Sequence, residues 1–179
     1  MKLYVMDAFA NRIFGGNQAG VALPDRELSD ETMRQIAAEM KHSETAFIHM
    51  EPDGSVSLRY FTPAGEVDLC GHATVASFAL LRQLEKIGDG DHTAHTKAGE
   101  LNITVRGGTV WMDMAPPQLI GDIPAAERAA LYAAYGLTEA DCPEGYIPRM
   151  VSTGLADIML SIPSLLLAMV VMYLSLIHI

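Results

Sequence analysis

Apolar and polar residues alternate along Lys2–Ala8 (KLYVMDA), the period of a half-buried strand. Phe14-Gly15-Gly16-Asn17 forms a loop. The apolar run Gly20–Leu23 then predicts a second strand, ended by Pro24 and Asp25. Met33, Ile36, Ala37 and Met40 fall at helical spacing behind Ser29 and Asp30, whose side-chain oxygens suit a helix N-cap, so Asp30–Lys41 is predicted as an amphipathic helix. Thr45–Met50 and Val56–Phe61 read as a hairpin around Pro52-Asp53-Gly54. Thr62–Leu69 reads as a loop. Gly71–Lys86 is the clearest helix, with Val75, Phe78, Ala79 and Leu81 on a broad apolar face and Gly88-Asp89-Gly90 as its stop. Three further strands are predicted at His92–Thr96, Leu101–Arg106 and Thr109–Met114, with Trp111 packed in the sheet. Pro116-Pro117 marks a boundary. A helix over Pro124–Tyr135 and strands at Ile147–Ser152 and Ala156–Ile162 follow. Strand and helix do not alternate regularly enough for a purely parallel sheet, so the pattern predicts an α+β, mixed-sheet protein.

Charge sharpens this picture in two places. With 12 Lys+Arg against 22 Asp+Glu the net charge is −10, which argues against nucleic acid as a partner. The last charged residue is Asp157, and the 22 residues from Ile158 to Ile179 carry none. That tail lifts the mean hydropathy to +0.19. Met1–Asp157 has the charge density of an ordinary soluble domain. No basic start with an apolar run opens the sequence, so no export signal is expected. Two cysteines exclude a disulfide scaffold and a four-cysteine zinc site.

Two places carry candidate chemistry. Glu44, in His42-Ser43-Glu44-Thr45-Ala46-Phe47, sits where a helix gives way to an apolar strand. A carboxylate partly desolvated by Ala46, Phe47 and Ile48 suits proton transfer, and the plainer reading is a solvated carboxylate. Asp68-Leu69-Cys70-Gly71-His72-Ala73-Thr74 opens the long helix. Free N–H groups there attract a carboxylate or phosphate, Gly71 lets a ligand approach, and His72 can donate or relay a proton. The plainer reading is Asp68 capping the helix. Cys70 is either a thiolate favoured by the helix start or a small buried side chain. Cys142, in a loop, offers no obvious partner thiol. Gly15-Gly16-Asn17 is too short for a phosphate loop; Asn17 can bind a polar ligand or simply form a turn. His42, His49, His92 and His95 show no zinc-type pairing. His92 and His95 are expected on opposite faces of a strand, at the surface.

Five stretches then fall in register: Asp7-Ala8-Phe9; Phe14-Gly15-Gly16-Asn17-Gln18-Ala19-Gly20-Val21; Ser43-Glu44-Thr45-Ala46-Phe47; Arg59-Tyr60-Phe61-Thr62-Pro63; and Glu66-Val67-Asp68-Leu69-Cys70-Gly71-His72-Ala73-Thr74. Together they resemble the PhzF-type (phenazine biosynthesis protein) isomerases and epimerases, over about Lys2 to Ile162. The resemblance implies a diaminopimelate epimerase-like fold of two α+β lobes, each a sheet wrapped around a central helix. Gly71–Lys86 would be the first lobe's central helix. It also implies proton transfer on a small carboxylated substrate, without metal or cofactor, in the cytoplasm. Glu44 would be the acid/base, with Gly71 and His72, and less directly Asn17 and Asp68, lining the pocket.

The sequence departs from the family in two respects, of which one is length: 179 residues are too few for two lobes of roughly 130 residues or more each. The Glu-Asp-Pro-x-Thr-Gly-Ser-Ala stretch of the second lobe has no counterpart, and after Pro163 the pattern gives way to SLLLAMVVMYLSLIHI. The expected organisation is therefore an N-terminal lobe over 1–115, the start of a second lobe over 116–163, and an apolar tail over 164–179 foreign to the fold. As a fragment the chain is expected to have little activity. Two alternatives stay open: a non-catalytic single-lobe module that binds or homodimerises, and a tail-anchored membrane protein. The tail is short for a membrane span, which needs about 20 apolar residues.

Overall fold

The computed structural model describes residues 1–12, 15–152 and 156–161. The apolar tail, Pro163 and the end of the last predicted strand lie outside the described residues. The chain divides into two compact units, Met1–Met114 and Ala115–Ile179.

The first unit is an eight-stranded mixed sheet with two helices. Its strands are β1 (Lys2–Ala8), β2 (Asn17–Leu23), β3 (Thr45–Met50), β4 (Val56–Phe61), β5 (Glu66–Val67), β6 (Gly90–Thr96), β7 (Gly99–Arg106) and β8 (Thr109–Met112). Their order is β1-β2-β3-β4-β6-β7-β8, with β5 paired to β4. The β2–β3 and β4–β6 pairs are parallel, each joined by a crossover through a helix; the rest are antiparallel. Helix α1 (Asp30–Met40) makes the first crossover and α2 (Gly71–Gln83) lies on the second.

Helix α2 touches β1 and β8, the two ends of the strand path, and β2, β3 and β7 between them. The sheet therefore curls around it, which explains why α2 is buried on most sides rather than on one stripe. Ala73, Ala76, Phe78, Leu80 and Leu81 fill this core with Ala46 and Ile48 of β3 and Val56, Leu58 and Tyr60 of β4. The intervening strand residues face the other way. Phe47 and Phe61 meet edge-on, with centroids 5.7 Å apart, and pack with Met33 and Ala37 of α1. The polar groups inside α2 are satisfied within the helix: Ser77 Oγ donates to the Ala73 carbonyl at 2.7 Å and Thr74 Oγ1 to that of Cys70 at 2.7 Å.

Several boundaries differ from the sequence expectation. β2 begins at Asn17 rather than Gly20, because Asn17–Ala19 pair with Met6–Ala8. The loop Thr62–Leu69 contains the short β5. α2 ends at Gln83, where Glu85 turns left-handed (φ 57°) and the Lys86 N–H returns to the Leu81 carbonyl at 2.9 Å. Trp111 is 63% exposed, contrary to its expected place in the sheet. On β8, Val110 and Met112 are the residues packed against the core, so period-two alternation turns Trp111 outward. His92 and His95 are half-buried: His92 packs by Phe78, and His95 bonds the Ser55 hydroxyl at 3.1 Å.

The second unit has a three-stranded antiparallel sheet ordered β11-β10-β9, from β9 (Gln118–Asp122), β10 (Arg149–Ser152) and β11 (Ala156–Met159). Among its described residues are also helix α3 (Ala125–Ala134) and a 3-10 turn (Glu139–Asp141), with Ile123, Tyr132 and Leu137 buried. β9 has no counterpart in the sequence expectation, because Pro116-Pro117 reads as a boundary. No described helix is long and apolar enough to cross a membrane.

Candidate active site

Glu44 occupies the link immediately before β3, and two features of β2 fix it there. The Gly20 N–H donates to the Glu44 carbonyl at 3.0 Å. Gly20 also stands beside Thr45 so closely that a Cβ would lie 2.5 Å from Thr45 Oγ1. No side chain fits, so the glycine is what allows β2 and β3 to close at this point. Its role was not legible as a site feature, since a glycine in a strand usually signals only a bulge or a bend.

His72 is brought to Glu44 by α2. Cys70 holds the N-cap position with extended backbone (φ −143°) and makes no side-chain capping bond. Its carbonyl accepts from both the N–H and the hydroxyl of Thr74, and Thr74 Oγ1 shares a 2.6 Å hydrogen bond with the Tyr60 phenol of β4. Burial pushes the Tyr60 phenol well above its ordinary value, so it serves as a neutral hydrogen-bonding anchor. Tyr60 thus ties the first turn of α2 to the sheet. Its alternation with Val56 and Leu58 marks an inward strand residue, and the Arg59-Tyr60-Phe61-Thr62-Pro63 stretch carries part of the family resemblance, but neither signals the anchoring role.

The result is a compact group. His72 Nε2 lies 3.5 Å from Glu44 Oε2, and His72 Nδ1 lies 3.3 Å from Cys70 Sγ. Both side chains are mostly enclosed, 12% exposed for His72 and 24% for Glu44. Glu44 Oε2 is itself buried and has no hydrogen-bond partner. A buried carboxylate oxygen left so has unused hydrogen-bond acceptor capacity. Cys70 is buried and its thiol is pushed up to about 12, chiefly by desolvation, with the Ala73 N–H pulling the other way and the Glu44 charge adding to the rise. Here burial outweighs the helix start, and the thiol is neutral near pH 7.

The other expected site residues fall differently. Gly71 is the first residue of α2, and a Cβ there would meet only Met112 Cε at 3.4 Å, an ordinary contact. Asp68 does not cap α2: its carboxylate pairs with Lys97 at 3.0 Å and is 55% exposed. Asn17 is exposed at the start of β2, opposite Ala8, three residues before Gly20. Gly16 is required by the backbone, with φ +83° and a Cβ that would lie 2.1 Å from the Ala8 carbonyl, so the glycines before Asn17 serve the turn. A surface cleft of about 590 Å³ lined by Lys2, Leu23, Asp25, His49 and Lys86 contains none of these groups.

A mixed sheet curled around one helix gives the first unit the diaminopimelate epimerase-like fold class. The model of the PhzC-PhzF family, phenazine biosynthesis-like protein, matches residues 6–170, and the chain belongs to that family. An uncharacterized isomerase, YddE, of Salmonella typhimurium is 38% identical over 170 residues, covering 89% of this chain and 55% of the relative. The crystal structure of a PhzF-family phenazine biosynthesis protein of Bacillus anthracis superposes with a TM-score of 0.77 at 30% identity, covering 94% of this chain and 58% of the other. A predicted epimerase of Pseudomonas aeruginosa gives a TM-score of 0.78 at 26% identity, covering 93% and 61%. The chain thus spans about half the length of the curated relatives it matches.

Proposed function

We propose that this chain carries an acid/base centre of a PhzF-like isomerase or epimerase acting on a small carboxylated substrate. Glu44 takes a proton from one carbon and returns it to the same or another carbon. His72 hydrogen-bonds the substrate, and the free N–H groups at the start of α2 receive its carboxylate beside Gly71. Asn17 and Asp68 are proposed as outer pocket residues, and the chemistry needs no cofactor. The observation that carries this reading is the buried, unpartnered Glu44 Oε2, 3.5 Å from His72 at an uncapped helix start. Residues 1–115 are read as the lobe bearing this centre, and 116–163 as the beginning of a second.

The test is solvent exchange. Small amino, hydroxy and unsaturated acids are incubated with the chain in D₂O, and deuterium at the carbon next to the carboxylate is followed by NMR. Glu44→Gln is expected to slow wash-in by about a hundredfold or more. No exchange with any acid, or exchange unchanged in Glu44→Gln, overturns the assignment. Because the chain spans about half of its relatives, net turnover is proposed to be small. Robust isomerase turnover by the purified chain, abolished in Glu44→Gln, would refute that part alone.

A further inference from the structure

Glu44, Cys70 and His72 are also, among the described residues, the one group of three metal-ligating side chains whose ligand atoms all lie within 4.8 Å of one another. They come from two elements, the link before β3 and the first turn of α2, each pinned in place by the Gly20 and Tyr60–Thr74 hydrogen bonds. A tetrahedral zinc ion bound by one sulfur, one nitrogen and one oxygen needs neighbouring ligand atoms roughly 3.3–3.6 Å apart. The observed separations are 3.5 Å from Glu44 Oε2 to His72 Nε2 and 4.0 Å from Cys70 Sγ to the same nitrogen. Both separations lie within a few tenths of an ångström of that geometry, and all three ligand atoms lie within 4.8 Å of one another. The donor chemistry narrows the cation. Thiolate, imidazole and carboxylate together suit zinc and its borderline-soft neighbours, and not magnesium or calcium, which take oxygen ligands. Glu44 Oε2, buried without a partner, is the atom such an ion would satisfy.

We propose that Glu44, Cys70 and His72 form a three-ligand site for a zinc-class divalent cation, and that an ion held there takes Glu44 out of acid/base service. The Cys70 thiol proton passes to solvent as the metal–sulfur bond forms, and a water completes the fourth position. The ion is an occupant that competes with the carboxylate substrate, so its inhibitory consequence rests on the function proposed above. The metal site itself does not.

The test uses the full 179-residue chain without an affinity tag. Zinc is titrated against a chromophoric chelator, and cobalt(II) is added in parallel as a spectroscopic probe. One zinc per chain is expected, weakened at least tenfold by Cys70→Ser and by His72→Gln and unchanged by Cys142→Ser. Cobalt is expected to give a near-ultraviolet sulfur-to-metal band, present in the wild type and in Cys142→Ser and absent in Cys70→Ser. The Cys142→Ser arm and the cobalt band on the unmutated chain keep the result independent of any folding defect in Cys70→Ser. Zinc uptake that is absent, that survives Cys70→Ser unchanged, or that is lost in Cys142→Ser overturns the proposal, as does a cobalt complex with no sulfur band. These readouts involve no substrate. Zinc binding with unaltered exchange in Glu44→Gln would sink the acid/base reading alone, and the converse would sink the metal site alone.

Discussion

The two helices of the first unit begin in opposite ways. Helix α1 starts closed: Ser29 caps it, accepting from the Thr32 N–H at 3.2 Å, and Asp30 and Glu31 fill its first turn. Those acids are engaged in turn, Asp30 with Arg59 at 3.0 Å and Glu31 with Arg34 at 2.8 Å. Helix α2 starts open: its N-cap is a cysteine that makes no capping bond, its first turn carries no acid, and its first residue is glycine. The chain thus closes α1 with hydroxyl and charged side chains of its own, whereas at α2 only the neutral Cys70 thiol stands near the Ala73 N–H. α2 is the more deeply packed helix, so the open start is not a sign of a marginal element. Stability comes from the helix body, and under the proposed function the first turn is kept for chemistry.

The largest effect expected from this contrast concerns Cys70. With its thiol pushed up to about 12 against an ordinary value of 9.0, the native protein is expected to hold on the order of a hundredfold to a thousandfold less thiolate near pH 8 than the unfolded chain. Alkylation of Cys70 by iodoacetamide, followed by peptide mass spectrometry, is expected to be slower by that factor in the native state. It should accelerate as pH rises toward 12. Equal rates in native and denatured protein would mean that the helix start dominates over burial.

Packing comes next. Phe78 is fully buried inside the curl of the sheet, so Phe78→Ala is expected to cost about 3–5 kcal/mol in urea denaturation. Met33→Ala, on the smaller cluster beneath α1, is expected to cost about 2 kcal/mol. Equal losses would erase the distinction between a central helix and a covering one. Smaller again is the cap: Ser29→Ala is expected to cost about 1 kcal/mol, because the Thr32 N–H loses its acceptor.

Much of this fold was legible because its signals are local. Lys2–Ala8, Thr45–Met50 and Val56–Phe61 are strands with the predicted bounds, since a period-two pattern is written in the residues themselves. Asn17–Ala19 were missed because Asn, Gln and a following glycine carry no strand signal; their pairing with Met6–Ala8 supplies it. Trp111 was misplaced because edge position on β8, which decides whether an outward face is covered, is a property of the sheet order. At the site, Glu44 and His72 were named from separate local arguments, and the 3.5 Å between them appears only once α2 is enclosed. Asp68 illustrates the limit. An acid just before a helix reads as a cap, but Lys97, distant in sequence, draws it away. The proximity of Cys70 to Glu44 is not legible in the sequence, because the two lie 26 positions apart and meet only once α2 packs beside β3.

Gly71 gives the smallest effect in energy and the sharpest test of why α2 starts open. Gly16 and Gly20 are demanded by the protein, since a Cβ would collide with the Ala8 carbonyl at one and with Thr45 at the other. Gly71 is not. Its backbone is outside the left-handed region, and a Cβ would touch only Met112 Cε at 3.4 Å. If folding alone governed the position, alanine would serve better, because glycine leaves more freedom in the unfolded chain to be lost. Gly71→Ala is therefore expected to raise stability by about 0.4–1 kcal/mol in urea denaturation. The same substitution places a methyl group beside the first free N–H groups of α2. Titration with acetate, read from the amide shifts of His72 and Ala73, is then expected to show weaker binding than in the unmutated chain. Gain of stability with loss of carboxylate binding means the glycine is kept for a ligand at the expense of the fold. A loss of stability would instead make Gly71 a third structural glycine and leave the open start of α2 without a function.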